Sequence, residues 1–188
     1  MRTQMFIGGE WRDAASGATF AVTDPATGEQ VADVADGGPG DATAACAAAS
    51  TAQRAWAAVA PREKAEILRR SFELMMERQD ELAELIVREQ GKPLADARGE
   101  IAYAAEFFRW NSEEAVRIRG EIGMAPSGAN RMIVHHVPVG VVVIVTPWNF
   151  PAAMITRKVA PALAAGNAAV IKPPAETPLT ALCVAEIL

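Results

Sequence analysis

The five-residue run Val141 to Val145, followed at once by Thr146-Pro147-Trp148-Asn149-Phe150-Pro151, constrains this chain more than any other stretch. All five residues are β-branched, and the run is too short for a helix. It therefore reads as a buried parallel strand. Thr146-Pro147 stops it, and Pro151 suits the first turn of a helix. Ile155, Val159 and Leu163 recur every four residues and give that helix one apolar stripe. Gly166-Asn167 predicts its left-handed C-terminal cap. Ala168 to Ile171 is a second strand, broken by Pro173-Pro174, and Thr177 opens a second helix. The result is a β-α-β-α unit of an α/β fold, with a right-handed crossover expected.

In open α/β sheets, ligands bind beyond the carboxyl ends of the strands. The first strand delivers Thr146, Pro147, Trp148 and Asn149 to that edge, and the second delivers Lys172. An amide can donate a hydrogen bond to a developing oxyanion. An ammonium can bind ribose hydroxyls or a phosphate. On spacing alone a second reading stands equally: a strand-end turn in which Asn149 caps a helix and Lys172 is a solvated charge.

Composition narrows the function classes. Hydrophobic residues make up 51% of the 188, ample for a packed core, and the net charge of −5 argues against nucleic acid as a main partner. Cys46 and Cys183 do not make a disulfide framework and suit a reducing compartment. The first ten residues lack the apolar stretch of a signal peptide, and no window approaches the ~20 apolar residues that span a bilayer. The expectation is a soluble cytoplasmic protein. No Cys/His spacing resembles a zinc site. Adjacent His135 and His136 would point to opposite faces of a strand and cannot share a metal there. The Gly-x-Gly-x-x-Gly, Gly-Lys-Ser/Thr and Gly-x-Ser-x-Gly loops are absent.

Upstream, Phe6-Ile7, Ala18 to Val22 and Glu29 to Val34 suggest an N-terminal β-meander, with Phe6, Trp11 and Phe20 as packing residues. Asp41 is the expected N-cap of an alanine-rich helix to about Ala58, with Cys46 buried in it. Pro61 opens the next helix. Leu68, Phe72, Met75, Leu82 and Ile86 form one continuous face, ended by Gly91 and Pro93. A third helix follows to about Arg119, with Ile101, Ala105, Phe108, Ser112 and Ala115 on one side. Cys183 falls on the last helix's apolar stripe with Leu179, Leu182 and Ile187, which makes it a packing residue.

The segment Thr146 to Pro151, then Leu163-Ala-Ala-Gly-Asn167 and Lys172-Pro, resembles the aldehyde dehydrogenase superfamily. Met154-Ile-Thr-Arg-Lys-Val159, Glu89-Gln-Gly-Lys-Pro-Leu94 and Ala97-Arg-Gly-Glu100 resemble its succinate-semialdehyde dehydrogenases. The likeness runs from Met5 to Leu188 and covers the N-terminal portion of such an enzyme. It implies an incomplete Rossmann-like cofactor domain with a helical lead-in. Residues 1–119 would be the β-meander and helical part, 120–139 oligomerisation strands, and 140–188 the first β-α-β-α unit of the cofactor sheet.

The resemblance also implies a chemistry. A cysteine thiolate attacks the aldehyde, hydride passes to NAD or NADP, and a glutamate-activated water releases the carboxylate. Both the cysteine and the glutamate are expected beyond Leu188. Asn149 would be the oxyanion donor. Val145, Thr146, Pro147 and Trp148 would line the cofactor groove, and Lys172 would bind the adenosine ribose. Ala175 stands where many NAD-preferring relatives carry a ribose-binding glutamate, with Glu176 one place late. Arg157 would bind the carboxylate of the substrate. The expected partners are a small aldehyde and, when the enzyme is complete, further copies of itself. The expected reaction is succinate semialdehyde to succinate, with this chain inactive by itself. The alternative is a truncated, non-catalytic relative that acts as a binding protein.

Overall fold

The computed structural model describes residues 2–188. Its first strands are β1 (Met5–Ile7), β2 (Glu10–Arg12), β3 (Thr19–Thr23) and β4 (Gln30–Ala35). They form two antiparallel hairpins in separate sheets rather than the expected single meander. The linker between the hairpins is occupied elsewhere. A turn closes from Gly17 N–H to Ala14 O at 2.8 Å, and Ala15 N–H donates to the Asp41 carboxylate at 3.2 Å. Phe20 packs on a small core of Val22, Val34 and Leu179. Phe6, expected to be packed, is exposed and rests on Trp11, with ring centroids 4.9 Å apart.

Helix α1 (Pro39–Ala58) starts at Gly38, not at Asp41. Asp41 is its third helical residue and accepts from the Gly38 N–H at 2.9 Å, the reaching-back half of a capping box. Cys46 is exposed, contrary to expectation, because an alanine-rich helix has no dominant stripe to say which face turns inward. The following apolar face is buried as expected at Leu68, Met75, Leu82 and Ile86 and half-buried at Phe72. It is carried by two helices, α2 (Pro61–Glu77) and α3 (Gln79–Gln90), which break at Arg78. Gly91, at φ 78°, closes α3 with a left-handed cap. Helix α4 (Leu94–Ala115) packs against α2 and α3, and Ile101, Ala105, Phe108, Ser112 and Ala115 are all buried. It ends at Ala115, short of Arg119.

β5 (Glu121–Met124) and β6 (Arg131–Val134) form an antiparallel hairpin exposed at every residue, and His135 and His136 beyond it are exposed too. The chain then enters β7 (Val141–Val145), α5 (Ala153–Ala164), β8 (Ala168–Lys172) and α6 (Pro178–Ile187). β7 and β8 pair in parallel. Both α1 and α5 pack on this pair, and α5 also packs on α4. Gly166, at φ 85°, ends α5. Its N–H reaches Leu163 O at 3.0 Å and the Asn167 N–H reaches Ala162 O at 2.9 Å, the two bonds of a Schellman cap. The Asn167 side chain then accepts from the Gly140 N–H at 3.0 Å and ties the end of α5 to the start of β7.

β7 is not the buried strand its composition predicts. Ile144 is buried, but Val143 and Val145 are 60% and 64% exposed. Among the described residues β8 is its one strand partner, so an edge and an apolar face of β7 lie open. No helix among the described residues is long and apolar enough to cross a membrane.

Candidate functional site

The β7–β8 register brings two sequence-predicted groups to one edge. Val145 lies opposite Lys172, and the Thr146 N–H reaches Lys172 O at 3.4 Å. Thr146 to Asn149 and Lys172 therefore leave the same end of the strand pair. Thr146 is buried, and its hydroxyl has no hydrogen-bond partner among the described residues. Val145, Pro147, Trp148, Asn149 and Lys172 are exposed. Ala175 and Glu176 are exposed in the bend between Pro174 and α6. Arg157 is carried by α5 rather than by a strand end. Its guanidinium lies 5.9 Å from the centroid of the Phe107 ring on α4, and its Nη1 lies 4.0 Å from Met154 Sδ.

The loop from Thr146 to Ala152 is gripped from below. Glu100, on α4, has a side chain only 1% exposed. Its Oε1 accepts from the Ala152 N–H at 2.9 Å and the Ala153 N–H at 3.3 Å. These N–H groups have no partner inside α5, and the positive end of the helix favours a carboxylate there. The other oxygen, Oε2, lies 2.5 Å from Lys92 Nζ. Lys92 also donates to the carbonyl oxygen of Asn149 at 3.0 Å and stands 4.1 Å from the centroid of the Phe150 ring. One ion pair thus holds the Asn149 backbone, the neighbouring aromatic ring and the first N–H groups of α5.

Glu89 does the same for the other arm of the crevice. At the end of α3 it is 2% exposed and accepts from the Leu179 N–H at 2.8 Å, the Thr180 N–H at 2.9 Å and the Thr180 hydroxyl. It thereby caps α6, which follows the bend after Lys172. Burial pushes its carboxyl up to about 7, against the lowering effect of its three hydrogen bonds; the nearby charge of Glu100 adds to the rise. At the far side of α6, burial pushes the Cys183 thiol up to about 11, as befits a packing residue and not a nucleophile.

Reading the sequence for chemistry missed these three anchors, although their letters lie in the segments that carry the family resemblance. A physical signal was present. Glu89 continues the Leu82-Ile86 stripe of α3, and Glu100 lies among the buried Ala97, Ile101 and Ala104 of α4. A carboxylate on an apolar face must be paired or hydrogen-bonded.

The sequence pattern of the aldehyde dehydrogenase family matches residues 11–188. The chain belongs to the aldehyde dehydrogenase family. It is 52% identical to a glutarate-semialdehyde dehydrogenase of Pseudomonas putida and 50% identical to an NADP-dependent succinate-semialdehyde dehydrogenase of Escherichia coli, in each case over 99% of this chain and 39% of the relative. The crystal structure of a succinate-semialdehyde dehydrogenase from Burkholderia pseudomallei superposes with a TM-score of 0.96, at 49% identity, covering 99% of this chain and 39% of that one. The α/β fold of this chain is thus that of the N-terminal part of these enzymes. The chain spans about two fifths of the length of the curated relatives it matches.

Proposed function

We propose that this chain is the N-terminal portion of an NAD(P)-dependent enzyme that oxidises a carboxylate-bearing aldehyde, succinate semialdehyde in the first instance, to the corresponding acid. The observation that carries this reading is the shared strand edge, where Val145 pairs with Lys172 and the loop bearing Asn149 leaves the same end of the strand pair. Two relatives named for dicarboxylic semialdehydes support the substrate class.

The exposed residues suit a dinucleotide. Val145 and Trp148 offer apolar surface, and the Lys172 ammonium suits ribose hydroxyls or a phosphate. When bound, that cofactor accepts the hydride. In this reading Asn149 donates its side-chain amide to the oxygen of the reacting carbonyl as charge develops there. Val145 to Trp148 line the groove. Arg157 offers a fork of donors to the distal carboxylate. A carboxylate at position 175 would repel a 2′-phosphate. Ala175 removes it, so NADP should serve at least as well as NAD. The relative of Escherichia coli named for NADP accords with this.

The nucleophile and the base of the reaction are assigned to chain beyond Leu188. Residues 1–188 by themselves should show no turnover, since Cys183 is buried with a raised thiol pKa and Cys46, though exposed, is carried by α1 and not by the loops that leave the β7–β8 edge. The exposed β5–β6 hairpin is proposed as a contact between copies of the enzyme.

The reading is tested in the full-length protein with succinate semialdehyde and an uncharged aldehyde of similar length. Asn149→Ala should lower kcat by about 10²–10³ for both substrates. Arg157→Ala should raise KM for the charged substrate and leave the uncharged one little changed. Equal losses for both substrates in Arg157→Ala would remove the carboxylate role. An unchanged kcat in Asn149→Ala would remove the oxyanion role.

A further inference from the structure

We propose that Lys92 is a positioning residue for Asn149, acting through the backbone of the loop; the proposal rests on the oxyanion role given to Asn149 above. The Lys92 ammonium makes three contacts at once. It pairs with Glu100 Oε2 at 2.5 Å, donates to the Asn149 carbonyl oxygen at 3.0 Å, and sits 4.1 Å from the centroid of the Phe150 ring. Its side chain is only 12% exposed, which keeps it from acting as a free surface charge.

The reach of this contact is long in sequence: Lys92 and Asn149 are 57 residues apart. It joins the turn before α4 to a loop that is otherwise exposed from Pro147 to Phe150. That loop has a buried residue at each end, Thr146 and Pro151. Between them, the Lys92 ammonium fixes the Asn149 carbonyl, while Glu100 fixes the N–H groups of Ala152 and Ala153. An amide that must meet a developing oxyanion needs its Cα held closely, because a displacement of about 1 Å can cost on the order of a hundredfold in rate. The Lys92 contact falls on Asn149's own peptide group. Neutral replacements of Lys92 lose both the carbonyl contact and the cation over Phe150, whereas arginine keeps a cation and a donor at that place.

The test is a double-mutant cycle on kcat in the full-length enzyme, with KM followed for aldehyde and cofactor. Lys92→Met should lower kcat about tenfold with KM nearly unchanged. Asn149→Ala should lower it about a hundredfold or more. The double variant should be no slower than Asn149→Ala alone, because a misplaced amide costs nothing once the amide is gone. Lys92→Arg should restore most of kcat. Lys92→Met combined with Glu100→Gln removes both charges together and keeps an acceptor for α5. It reads out the same non-additivity where Lys92→Met alone strands a buried carboxylate and fails to fold. A full tenfold loss on top of Asn149→Ala would overturn the positioning role. So would an unchanged kcat in Lys92→Met beside an impaired Asn149→Ala. An unchanged kcat in Asn149→Ala itself would instead overturn the oxyanion reading, and this proposal with it.

Discussion

The two helix starts that flank the crevice, those of α5 and α6, are built alike and balanced differently. Each has its first N–H groups capped by a buried glutamate from the α3–α4 region, Glu100 for α5 and Glu89 for α6. Glu100 has a cation against it, Lys92, which in turn holds the loop of Asn149. Glu89 has a hydroxyl in that place, from Thr180, and its carboxyl is pushed up to about 7. The same short stretch, Glu89 to Glu100, therefore clamps both arms of the crevice. Only the arm bearing the proposed oxyanion donor is clamped through an ion pair. The difference teaches that a buried carboxylate can be made a cap in two ways, against a cation as at Glu100 or against a hydroxyl as at Glu89, and burial makes the Glu89 cap a pH-dependent element near neutrality.

The largest effect should come from breaking the paired cap. Glu100→Ala strands the Lys92 ammonium and leaves the first N–H groups of α5 unpaired, at a cost of about 3–5 kcal/mol in unfolding free energy. Urea denaturation at neutral pH checks this. A loss below about 1 kcal/mol would mean that the pair is not the anchor described.

The unpaired cap should reveal itself by pH. The carboxyl of Glu89 is raised from 4.5 to about 7 on folding, so the folded protein binds more protons than the unfolded chain in that window. The resulting stability is fully present below about pH 4.5 and is lost as pH rises through about 7. At 1.36 kcal/mol per pKa unit it amounts to about 3 kcal/mol. Glu89→Gln should flatten this segment of the stability-versus-pH curve. A slope unchanged in Glu89→Gln would show that another group titrates.

Smaller changes sharpen the contrast. Thr180→Val removes the hydroxyl that stands where Glu100 has its ammonium, and should cost about 1 kcal/mol at neutral pH. Phe150→Leu removes the ring beneath Lys92 and should cost about 0.5–1 kcal/mol. Denaturant midpoints measured at one pH order the two.

Much of the α/β half was legible from local chemistry. The β-branched run at Val141 to Val145, the short apolar run at Ala168 to Ile171, and the cap at Gly166-Asn167 are decided within a few residues of themselves. The break at Arg78 was not legible, because the apolar face runs across it: Met75 and Leu82 are buried on either side, as in an unbroken helix. The start of α1 was placed three residues late because an aspartate can serve at the cap or, as here, reach back from the third helical position. The open face of β7 was misread because apolar composition reports what a strand is suited to pack against, while the described residues leave Val143 and Val145 mostly uncovered. The strand edge carrying Asn149 and Lys172 could be read, since each strand delivers its own residue. The partners of the clamps could not, although the place of each glutamate on a buried helix face could: Glu100 meets Ala152 across 52 residues and Glu89 meets Leu179 across 90, and no local period encodes such a meeting.

The central claim is that Glu89 and Glu100 clamp the two arms separately. Amide hydrogen exchange at Ala152, Ala153, Leu179 and Thr180 tests it most directly, in the unaltered protein and in Glu89→Gln and Glu100→Gln. Glu100→Gln should speed exchange at Ala152 and Ala153 and leave Leu179 and Thr180 protected; Glu89→Gln should do the reverse. Equal acceleration at all four amides in both variants, or none in either, would contradict the account.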